Sequence, residues 1–419
     1  MKILWLCNVM LPKFANELNI APQVTGGWLT GAADAISAVP DIQLHICCGQ
    51  RLSKDWITRT VDGIVFHGYP ASANPPHKYD STIEEYFRQL LRQVQPDLVH
   101  IWGTEFSHSL AMAKAFDCPE RTLVNIQGLC SYIAEHYMAH LTYSDRDTVT
   151  LRDVLRWDWI GMQQMRFMQR GQLEKQTLQR VKHIIGRTRW DKACIRQLAP
   201  QARYYKCNET LRGSFYTHAG SWTPESCDRH SIFVSQASYP LKGFHLVLEA
   251  MPEILKRYPD AMLYTTGTSP FQQRFYAVGG YRRVLKNKIR KLGLQDHVVF
   301  LGPLDEEKMC QRFLRSHVFV SASSIENSPN SVGEAMLLGV PTVASYVGGT
   351  MDLLTDGEDG FLYQPDAPYM LASHVCRIFA DDELARKFSR NATAHAQVTH
   401  DPTENLNTLV KIYQEVNKL

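Results

Sequence analysis

The sequence contains no continuous run of about 18 apolar residues, so no segment is expected to form a membrane-spanning helix. Its net charge is only +3 at pH 7, which argues against a general affinity for nucleic acid but allows a local basic patch. None of the ten cysteines forms a C-x-x-C pair, so the usual spacing of zinc and thioredoxin-like sites is missing. The scattered thiols favour reduced, buried cysteines in a cytoplasmic protein.

The start of the chain, Met-Lys-Ile-Leu-Trp-Leu-Cys-Asn, lacks the pattern of a signal peptide. We therefore expect a cytoplasmic protein, with peripheral contact at the inner face of the membrane as a further hypothesis. At 419 residues the chain is longer than a single hydrophobic core usually organises, so two domains are expected.

Short apolar runs alternate with helical patterns over the first half of the chain, which predicts a doubly wound α/β domain. The predicted elements are strands at 2–7, 43–48, 63–67, 98–102, 122–127 and 202–205 and helices at 82–94 and 107–116. The polar, proline-bearing stretch 221–226 predicts an interdomain hinge. We therefore expect a first domain at 1–220, a second at 221–400 and a terminal helical segment at 401–419.

Polar residues lie in or just after two of these strands. His100 lies within the strand at 98–102, Glu105 follows it, and Gln127 ends the strand at 122–127. Because strand ends in a doubly wound sheet face the ligand crevice, these residues are candidate ligand contacts. The alternative is that His100 and Gln127 only satisfy buried polar groups.

A glycine pair, Gly26-Gly27, follows the first strand and precedes a helical pattern that starts near Leu29. Glycines at such a place let the backbone approach a diphosphate closely. A simple turn would explain the same pair equally well.

The stretch 323–341 has the pattern of a strand that leads into a short helix. Ser328 is a good helix N-cap, Pro329 suits the first helical position, and Gly339 is expected to end the helix. The N–H groups of Asn330, Ser331 and Val332 would then be available to a phosphate at the helix end.

Two carboxylates frame this predicted helix end. Glu326 lies before the helix and Glu334 eight residues later, inside it. Carboxylates beside a phosphate site suggest charge-assisted hydrogen bonds to the hydroxyls of a sugar and a ribose. The alternative is a capping box formed by Ser331 and Glu334, with Glu326 a solvated loop acid.

The second domain begins with a strand at 231–234, and the loop after it carries Gln236, Lys242 and Gly243. A lysine beside a glycine, between a strand and a helix, can deliver a point charge to a phosphate. A solvated lysine is the alternative.

Residues 148–182 combine tryptophan, methionine and arginine, among them Trp157 and Trp159. This composition is compatible with an anionic membrane surface or a lipid-linked ligand, and a buried apolar stripe is the alternative. Asp145 and Asp147 form a D-x-D pair, which we interpret as a solvated turn rather than a metal site. The basic helix predicted at 281–292 is interpreted as a solvated face.

Together these motifs resemble the retaining glycosyltransferases of family 4. The resemblance rests on Glu326-x7-Glu334, on the Ser-Pro-Asn and Gly-Glu-Ala-Met sequences within it, and on the continuation through 341–350 and 356–363. It covers most of the chain and is strongest between residues 231 and 365. It implies the GT-B fold, in which two Rossmann-like, doubly wound α/β domains face each other across a cleft and the terminal helix crosses back.

Under this resemblance the first domain binds the acceptor and the second binds the nucleotide-sugar donor. Glu326 contacts the donor sugar, Glu334 holds the ribose and Lys242 grips the diphosphate, so Glu326 and Lys242 are the implied catalytic residues. The implied acceptor-side candidates are His100, Glu105, Gln127 and Arg187, the last from an R-T-x-W-D segment. The implied donor-binding residues are Gly26, Gly27, Gln236, Lys242, Glu326, Asn327, Ser328, Pro329, Asn330, Ser331 and Glu334.

The chain departs from the family at two positions. Gln236 stands where the family usually has an arginine, and Gln127 stands where many members have a histidine. Glutamine can hydrogen-bond but cannot neutralise the charge of a phosphate. Arg187 and Arg212 are the candidates for replacing the missing cation.

The resemblance implies that a sugar is transferred with retention from a nucleotide-diphosphate sugar to a hydroxyl of a saccharide or lipid-linked acceptor, in cell-surface polysaccharide or glycoconjugate synthesis. A UDP-sugar is favoured over a GDP-sugar, and no metal, cofactor or nucleic acid is expected. Two alternatives stay open: a non-catalytic nucleotide-sugar-binding partner in a polysaccharide assembly complex, and another GT-B activity such as sugar-nucleotide epimerisation.

Overall fold

The computed structural model describes residues 1–21 and 26–418, which form two compact units. The first unit consists of Met1–Ala134, Arg166–Leu211 and His400–Leu419, and the second of Glu135–Met165 and Arg212–Thr399. The main transition therefore lies after Leu211, earlier than the predicted boundary at 220. The segment Glu135–Met165, which was expected in the first domain, belongs to the second unit.

The proposed hinge at 221–226 lies inside the second unit. Trp222 is buried, and its indole Nε1 donates a 2.7 Å hydrogen bond to the carbonyl of Ser316. A tryptophan held in this way anchors the stretch rather than letting it bend, so the prediction of a hinge there is wrong.

The sheet of the first unit has the order β3-β4-β2-β1-β5-β6-β7-β8 and is parallel except for the β3–β4 pair. Its strands are β1 Lys2–Cys7, β2 Gln43–Gln50, β3 Ile57–Val61, β4 Ile64–Pro70, β5 Leu98–Trp102, β6 Thr122–Asn125, β7 His183–Gly186 and β8 Arg203–Lys206. Sequence patterns missed β3, an edge strand with half-exposed and exposed positions, which carries too few apolar residues to show a buried strand.

Helices cover the sheet of the first unit and fill its core. They are α1 Pro12–Glu17, α2 Gly27–Ser37, α3 Thr82–Val94, α4 Ser107–Phe116, α9 Arg189–Leu198 and α17 Pro402–Val416. Two further helices contribute residues to both units: α5 Cys130–His136 and α8 Ile160–Leu178.

The terminal helix α17 packs into the core of the first unit. Tyr413 is fully buried, and its hydroxyl accepts a hydrogen bond from Trp5 Nε1 at 2.9 Å. Leu409, Ile412 and Val416 of the same helix join the cluster that includes Trp5. The last helix is thus an integral part of the first unit.

The sheet of the second unit is parallel, with the order β11-β10-β9-β12-β13-β14. Its strands are β9 Asp228–Val234, β10 Met262–Thr265, β11 Val298–Phe300, β12 Ser316–Ser321, β13 Thr342–Ser345 and β14 Phe361–Tyr363. Its helices are α6 Tyr143–Arg146, α7 Leu151–Arg156, α10 Gly213–Thr217, α11 Phe244–Arg257, α12 Gly280–Lys291, α13 Glu306–Leu314, α14 Asn330–Leu338, α15 Pro368–Ala380 and α16 Asp382–Thr399.

The strand order of the second sheet reverses between β9 and β12. Strands β10 and β11 extend from β9 to one side, and β13 and β14 extend from β12 to the other. In open α/β sheets the crevice outside the carboxyl ends of the strands at such a reversal is where ligands bind. The loops that follow β9 and β12 are therefore the place to look for a site.

Candidate donor site

The loops after β9 and β12 touch closely because of one glycine. Gly243 has φ = 65°, and a Cβ atom placed there would lie 1.8 Å from the carbonyl oxygen of Ala322. Only a residue without a side chain permits this approach. The contact places Lys242, the residue before Gly243, beside the loop that leads from β12 to α14.

Lys242 and Glu326 form an ion pair between these two loops. Ser323 also donates from its hydroxyl to the same Glu326 oxygen, Oε1, at 2.7 Å. Burial acts to lower the pKa of Lys242, but the charge of Glu326 and contact with Tyr239 outweigh it, so the pKa is raised. Lys242 therefore carries its positive charge inside the loop contact.

The backbone of Glu326 is held from the opposite side by a glycine pair. The N–H of Gly349 donates to the Glu326 carbonyl at 3.0 Å. Gly348 has φ = 50°, and a Cβ there would lie 2.0 Å from the same carbonyl oxygen. Both the side chain and the main chain of Glu326 are therefore fixed in place.

Helix α14 begins one residue later than predicted. Its first residue is Asn330, its N-cap is Pro329, and no side chain caps it, so the assignment of Ser328 as N-cap is wrong. The N–H of Val332 donates to the carbonyl of Pro329 at 2.9 Å, so it is not an open phosphate donor as expected. The predicted end is confirmed: Gly339 is the C-cap, with φ = 83°.

Glu334 does not form the alternative capping box. Its carboxylate accepts two hydrogen bonds from Arg212, from Nε at 2.7 Å and from Nη2 at 2.8 Å. Burial is the largest influence on Glu334 and raises its pKa, while Arg212 opposes that shift. The guanidinium of Arg212 also lies over the ring of Phe215, with 4.6 Å between its carbon and the ring centroid.

The two carboxylates of the Glu326-x7-Glu334 motif are therefore each paired with one cation of the second unit. Around them, Asn327, Ser328 and Pro329 are buried, and Asn330 and Ser331 are half-buried at the start of α14. Arg212 is committed to Glu334 and does not stand in the position left by Gln236. Gln236 itself is exposed and donates from Nε2 to Ser238 within its own loop, at 2.9 Å.

In the first unit, Glu105 lies beside the loop after β6. Its carboxylate accepts from the N–H of Gly128 at 2.8 Å and from Asn8 Nδ2 at 3.2 Å. Burial is the largest effect on this group and raises its pKa. A half-buried carboxylate at the carboxyl ends of β5 and β6 is compatible with contact to a hydroxylated ligand.

Gln127 and Arg187 both donate hydrogen bonds to Glu209, a residue that no sequence pattern had indicated. Gln127 Nε2 donates to one Glu209 oxygen, and Arg187 Nη1 donates to the other at 2.6 Å. Burial raises the pKa of Glu209 against the opposing effect of Arg187. The only sequence signal for Glu209 is its place just after the last strand of the first sheet, β8.

His100 belongs to the core of the first unit. It is fully buried, and its Nδ1 is hydrogen-bonded to the Tyr413 hydroxyl at 2.7 Å. Burial lowers the pKa of His100 to about 3, so the ring is neutral. Its assignment as an acceptor-side contact is therefore wrong, because the strand around it is buried at every position.

The glycine pair after β1 starts helix α2. Gly26 has φ = 84°, and a Cβ there would lie 2.6 Å from Cγ2 of Val9; Gly27 is the first helical residue. Thr25, which precedes the pair, lies outside the described residues. The expectation that the pair approaches a diphosphate stays a prediction.

The first unit contains a cavity of about 570 Å³ that sequence patterns did not predict. It lies at the ends of β1, β2, β4 and β5, and its lining includes Asn8, Gln50, Tyr69 and His108. His108 Nε2 and Asn8 Oδ1 are hydrogen-bonded at 2.7 Å. Amide, imidazole and aromatic groups around such a volume suit a polar organic ligand.

The prediction of a solvated turn at the D-x-D pair holds for Asp147, which is exposed in a turn, but not for Asp145. Asp145 lies in α6 and pairs with Lys288 of the basic helix α12 at 3.3 Å. The described residues contain no group of three or more His, Cys, Asp or Glu side chains placed to hold a metal ion. No helix among them is long and apolar enough to cross a membrane.

Comparison with known proteins gives a family match within the second unit. Residues 223–395 match the model of glycosyl transferases group 1. Over 194 residues the chain is 28% identical to YtcC of Bacillus subtilis, which is named as a glycosyltransferase; the match covers 45% of this chain and 46% of YtcC. The chain thus spans about half the length of this curated relative.

Solved structures resemble the whole chain. Sucrose-phosphate synthase from Thermosynechococcus elongatus superimposes with a TM-score of 0.68, 16% identity and 99% coverage of both chains. HepE from Anabaena, solved with UDP-glucose, gives a TM-score of 0.66 at 17% identity, covering 99% of this chain and 100% of HepE. At such identities the likeness shows the fold alone. The chain has the GT-B fold, and its residues 223–395 match the model of glycosyl transferases group 1.

Proposed function

We propose that this protein transfers a sugar, with retention of configuration, from a nucleotide-diphosphate sugar to a hydroxyl group of a saccharide or lipid-linked acceptor. One observation carries the proposal. At the strand reversal of the second sheet, Glu326 and Glu334 are each held by a cation, Lys242 and Arg212, on either side of the start of α14. This combination supplies both charge for a diphosphate and acceptors for sugar hydroxyls.

The diphosphate would lie at the N-terminus of α14, where the helix dipole favours negative charge. When the bond between the anomeric carbon and the β-phosphate oxygen breaks, negative charge develops on that oxygen. Lys242 is half-buried and held beside Glu326 with its charge intact, so it would stabilise the leaving group at little reorganisation cost.

Glu334 would accept hydrogen bonds from the ribose hydroxyls. Each carboxylate oxygen can accept more than one hydrogen bond, so pairing with Arg212 still leaves acceptor capacity for a ligand. Arg212 acts as a positioning residue, since two parallel bonds fix the plane of the carboxylate. Glu326 would in turn accept from hydroxyls of the donor sugar.

Retention would follow if the acceptor attacks from the face that the diphosphate leaves. The new bond forms between the acceptor oxygen and the anomeric carbon, and the acceptor proton passes to the departing β-phosphate oxygen. The products are the glycoside and a nucleoside diphosphate. Catalysis of this kind depends on positioning and electrostatics, so it needs no protein nucleophile.

A UDP-sugar is the donor that we favour, since the solved structures that resemble this chain include HepE with UDP-glucose. The acceptor would involve the first unit, where Glu105, Gln127 and the Arg187–Glu209 pair lie at strand ends. Work in cell-surface polysaccharide or glycoconjugate synthesis is part of the same proposal.

Calorimetric titration with UDP, GDP and ADP tests the donor site directly. We expect UDP to bind best and Glu334→Gln to weaken it about 10- to 150-fold, because a charged hydrogen bond to ribose contributes roughly 1.5–3 kcal/mol. The matched control is Glu358→Gln, which alters an exposed carboxylate in the same unit and should leave affinity unchanged.

Turnover is then measured with radiolabelled UDP-sugars over a panel of acceptors, and the product anomer is assigned by NMR. A retained anomer that forms equally well with a chelator present agrees with the proposal. An inverted product would contradict retention. Tight nucleotide binding without transfer to any acceptor would favour a non-catalytic nucleotide-sugar-binding protein.

A further inference from the structure

A short stretch of the second unit exposes an unusual number of apolar side chains. Between residues 143 and 157, Tyr143, Leu155 and Trp157 are 85%, 74% and 66% exposed, and three aliphatic neighbours are more than 45% exposed. These neighbours are Val149, Leu151 and Val154. Single exposed apolar residues are ordinary, whereas a contiguous group marks an interaction surface. We call these six side chains the apolar patch.

The apolar patch is held firmly on the start of α12. A Cβ at Gly280 would lie 2.5 Å from the carbonyl oxygen of Thr148, and a Cβ at Gly279 would lie 3.0 Å from Arg152 Nη1. Two consecutive glycines thus allow the stretch to approach the helix start closely. Lys288, further along α12, pairs with Asp145 at 3.3 Å.

Helix α12, which contacts this stretch, and the segment before it are strongly cationic. Residues 271–292 contain seven lysines and arginines and no aspartate or glutamate. Among them, Arg274, Arg290 and Lys291 are exposed. Arg156 is exposed within the patch itself, between Leu155 and Trp157.

The acidic residues of the stretch are largely engaged in internal contacts. Asp145 pairs with Lys288, and Asp153 caps the start of α7 by accepting from the N–H of Thr150 at 3.0 Å. Asp158 pairs with Arg152 at 3.2 Å. These three carboxylates are therefore turned towards partners within the second unit, whereas Asp147 is exposed.

We propose that the apolar patch and the cations of α12 dock the second unit on an anionic lipid surface. Exposed tryptophan and leucine side chains can enter the boundary between headgroups and acyl chains, while arginine and lysine bind the negative headgroups. Nucleic acid matches the charge but gives no role to exposed Val154 and Leu155. A second copy of this chain matches the apolar side chains but would bring two cationic surfaces together.

Sedimentation with lipid vesicles tests this assignment with the full chain. We expect binding to vesicles of phosphatidylcholine mixed with phosphatidylglycerol, and little binding to phosphatidylcholine alone. The double variant Leu155→Ser with Trp157→Ser should weaken binding roughly tenfold or more, since it removes two apolar insertions. Arg290→Gln with Lys291→Gln should weaken it by about fivefold per charge, and added salt should do the same.

The matched apolar control is Tyr369→Ser with Val398→Ser, which alters two residues that are 69% and 78% exposed elsewhere in the second unit. The matched charge control is Lys256→Gln on α11. Both controls should bind vesicles as the unchanged protein does. Nucleotide affinity, measured on every variant, reports whether the second unit stays folded and is expected to remain constant.

Three results would overturn the proposal. The first is equal binding to neutral and anionic vesicles, or none to either. The second is equal loss of binding in the control variants, which would mean that any exposed residue matters. The third is no vesicle binding together with either RNA binding or self-association that Leu155→Ser with Trp157→Ser abolishes, which would assign the surface to nucleic acid or to a second copy. None of these results depends on whether the chain transfers a sugar.

Discussion

Arg212 holds the carboxylate of Glu334 with two parallel hydrogen bonds, of 2.7 Å from Nε and 2.8 Å from Nη2. Both side chains are largely buried, so the pair is shielded from water. Arg212 is the first residue of Arg212–Thr399, the longer of the two segments that form the second unit. Glu334 lies in α14, the helix that starts at the strand reversal. The ribose-binding carboxylate of the proposed site thus has a dedicated partner.

Arg212→Ala is expected to destabilise the second unit by roughly 3–5 kcal/mol, because it leaves the Glu334 carboxylate buried without its cation. The double variant Arg212→Met with Glu334→Gln removes both charges and should recover much of that stability while nucleotide affinity stays low. Urea unfolding and UDP titration measure the two quantities separately. If Arg212→Ala alone kept full stability, the pair would have no structural role.

Lys242→Gln should lower kcat by on the order of a hundredfold, because the leaving diphosphate loses its nearby positive charge. The effect of adding Glu326→Gln should be less than additive, since the two residues form one ion pair. Steady-state kinetics with a UDP-sugar provide the measurement, and Lys256→Gln is the surface control. Unchanged kcat in Lys242→Gln would remove this residue from the catalytic set.

Gly243→Ala should destabilise the protein by more than about 2 kcal/mol for two reasons. Alanine would be strained at the left-handed φ of 65°, and its Cβ would lie only 1.8 Å from the carbonyl oxygen of Ala322. Gly293 offers a matched control: its φ is 68°, and a Cβ there would meet nothing within 4 Å. Gly293→Ala should therefore cost only the backbone strain, roughly 1 kcal/mol. Equal destabilisation in denaturant melts would show that the loop contact is not tight.

The burial of Glu174 predicts that the stability of the protein depends on pH. It is fully buried and accepts hydrogen bonds from the N–H groups of Cys130 and Ser131, at 2.9 and 3.0 Å, and from the hydroxyls of Thr104 and Ser131. Burial is the largest effect and raises its pKa from 4.5 to about 7. The folded protein therefore keeps a proton on Glu174 in a pH range where the unfolded chain has lost it.

The sign follows from proton linkage. The contribution of Glu174 is fully present below pH 4.5 and is lost as the pH rises through about 7, so the free energy of unfolding should fall by about 3 kcal/mol over this range. Glu174→Gln cannot ionise and should flatten this part of the profile, although it should lower stability by roughly 1–3 kcal/mol by leaving a backbone N–H unpaired. Unfolding measured from pH 4 to pH 8 in both proteins gives the difference, and parallel profiles would contradict the assignment.

Several features of the fold could be predicted from the sequence because they depend on local pattern. Strand β5 has the predicted bounds, since five consecutive buried residues leave a clear apolar run. Gly339 ends α14 as expected, because its left-handed backbone suits glycine. The start of the same helix was misplaced by one residue: Ser328 has the side chain of a favoured N-cap, but the folded chain places Pro329 at that position, and no side chain caps the helix.

Contacts between distant parts of the chain could not be predicted from local sequence patterns. The pairing of Arg212 with Glu334 joins residues far apart in sequence, and no spacing rule links them. The same holds for Glu209, which accepts hydrogen bonds from Gln127 and Arg187 although no sequence motif surrounds it. His100 looked like a ligand at a strand end, but the burial that makes it a core residue comes partly from Tyr413.

The sequence by itself determined the alternation of strands and helices, the resemblance carried by Glu326-x7-Glu334, and the presence of an aromatic and basic segment. Local periodicity and motif spacing involve residues that are close in sequence, so they can be recognised without knowledge of the tertiary structure. Only the tertiary structure decided that Glu135–Met165 joins the second unit and which cation holds each carboxylate. The physical reason is that burial and ion pairing depend on which distant side chains the folded backbone brings within a few ångströms of each other.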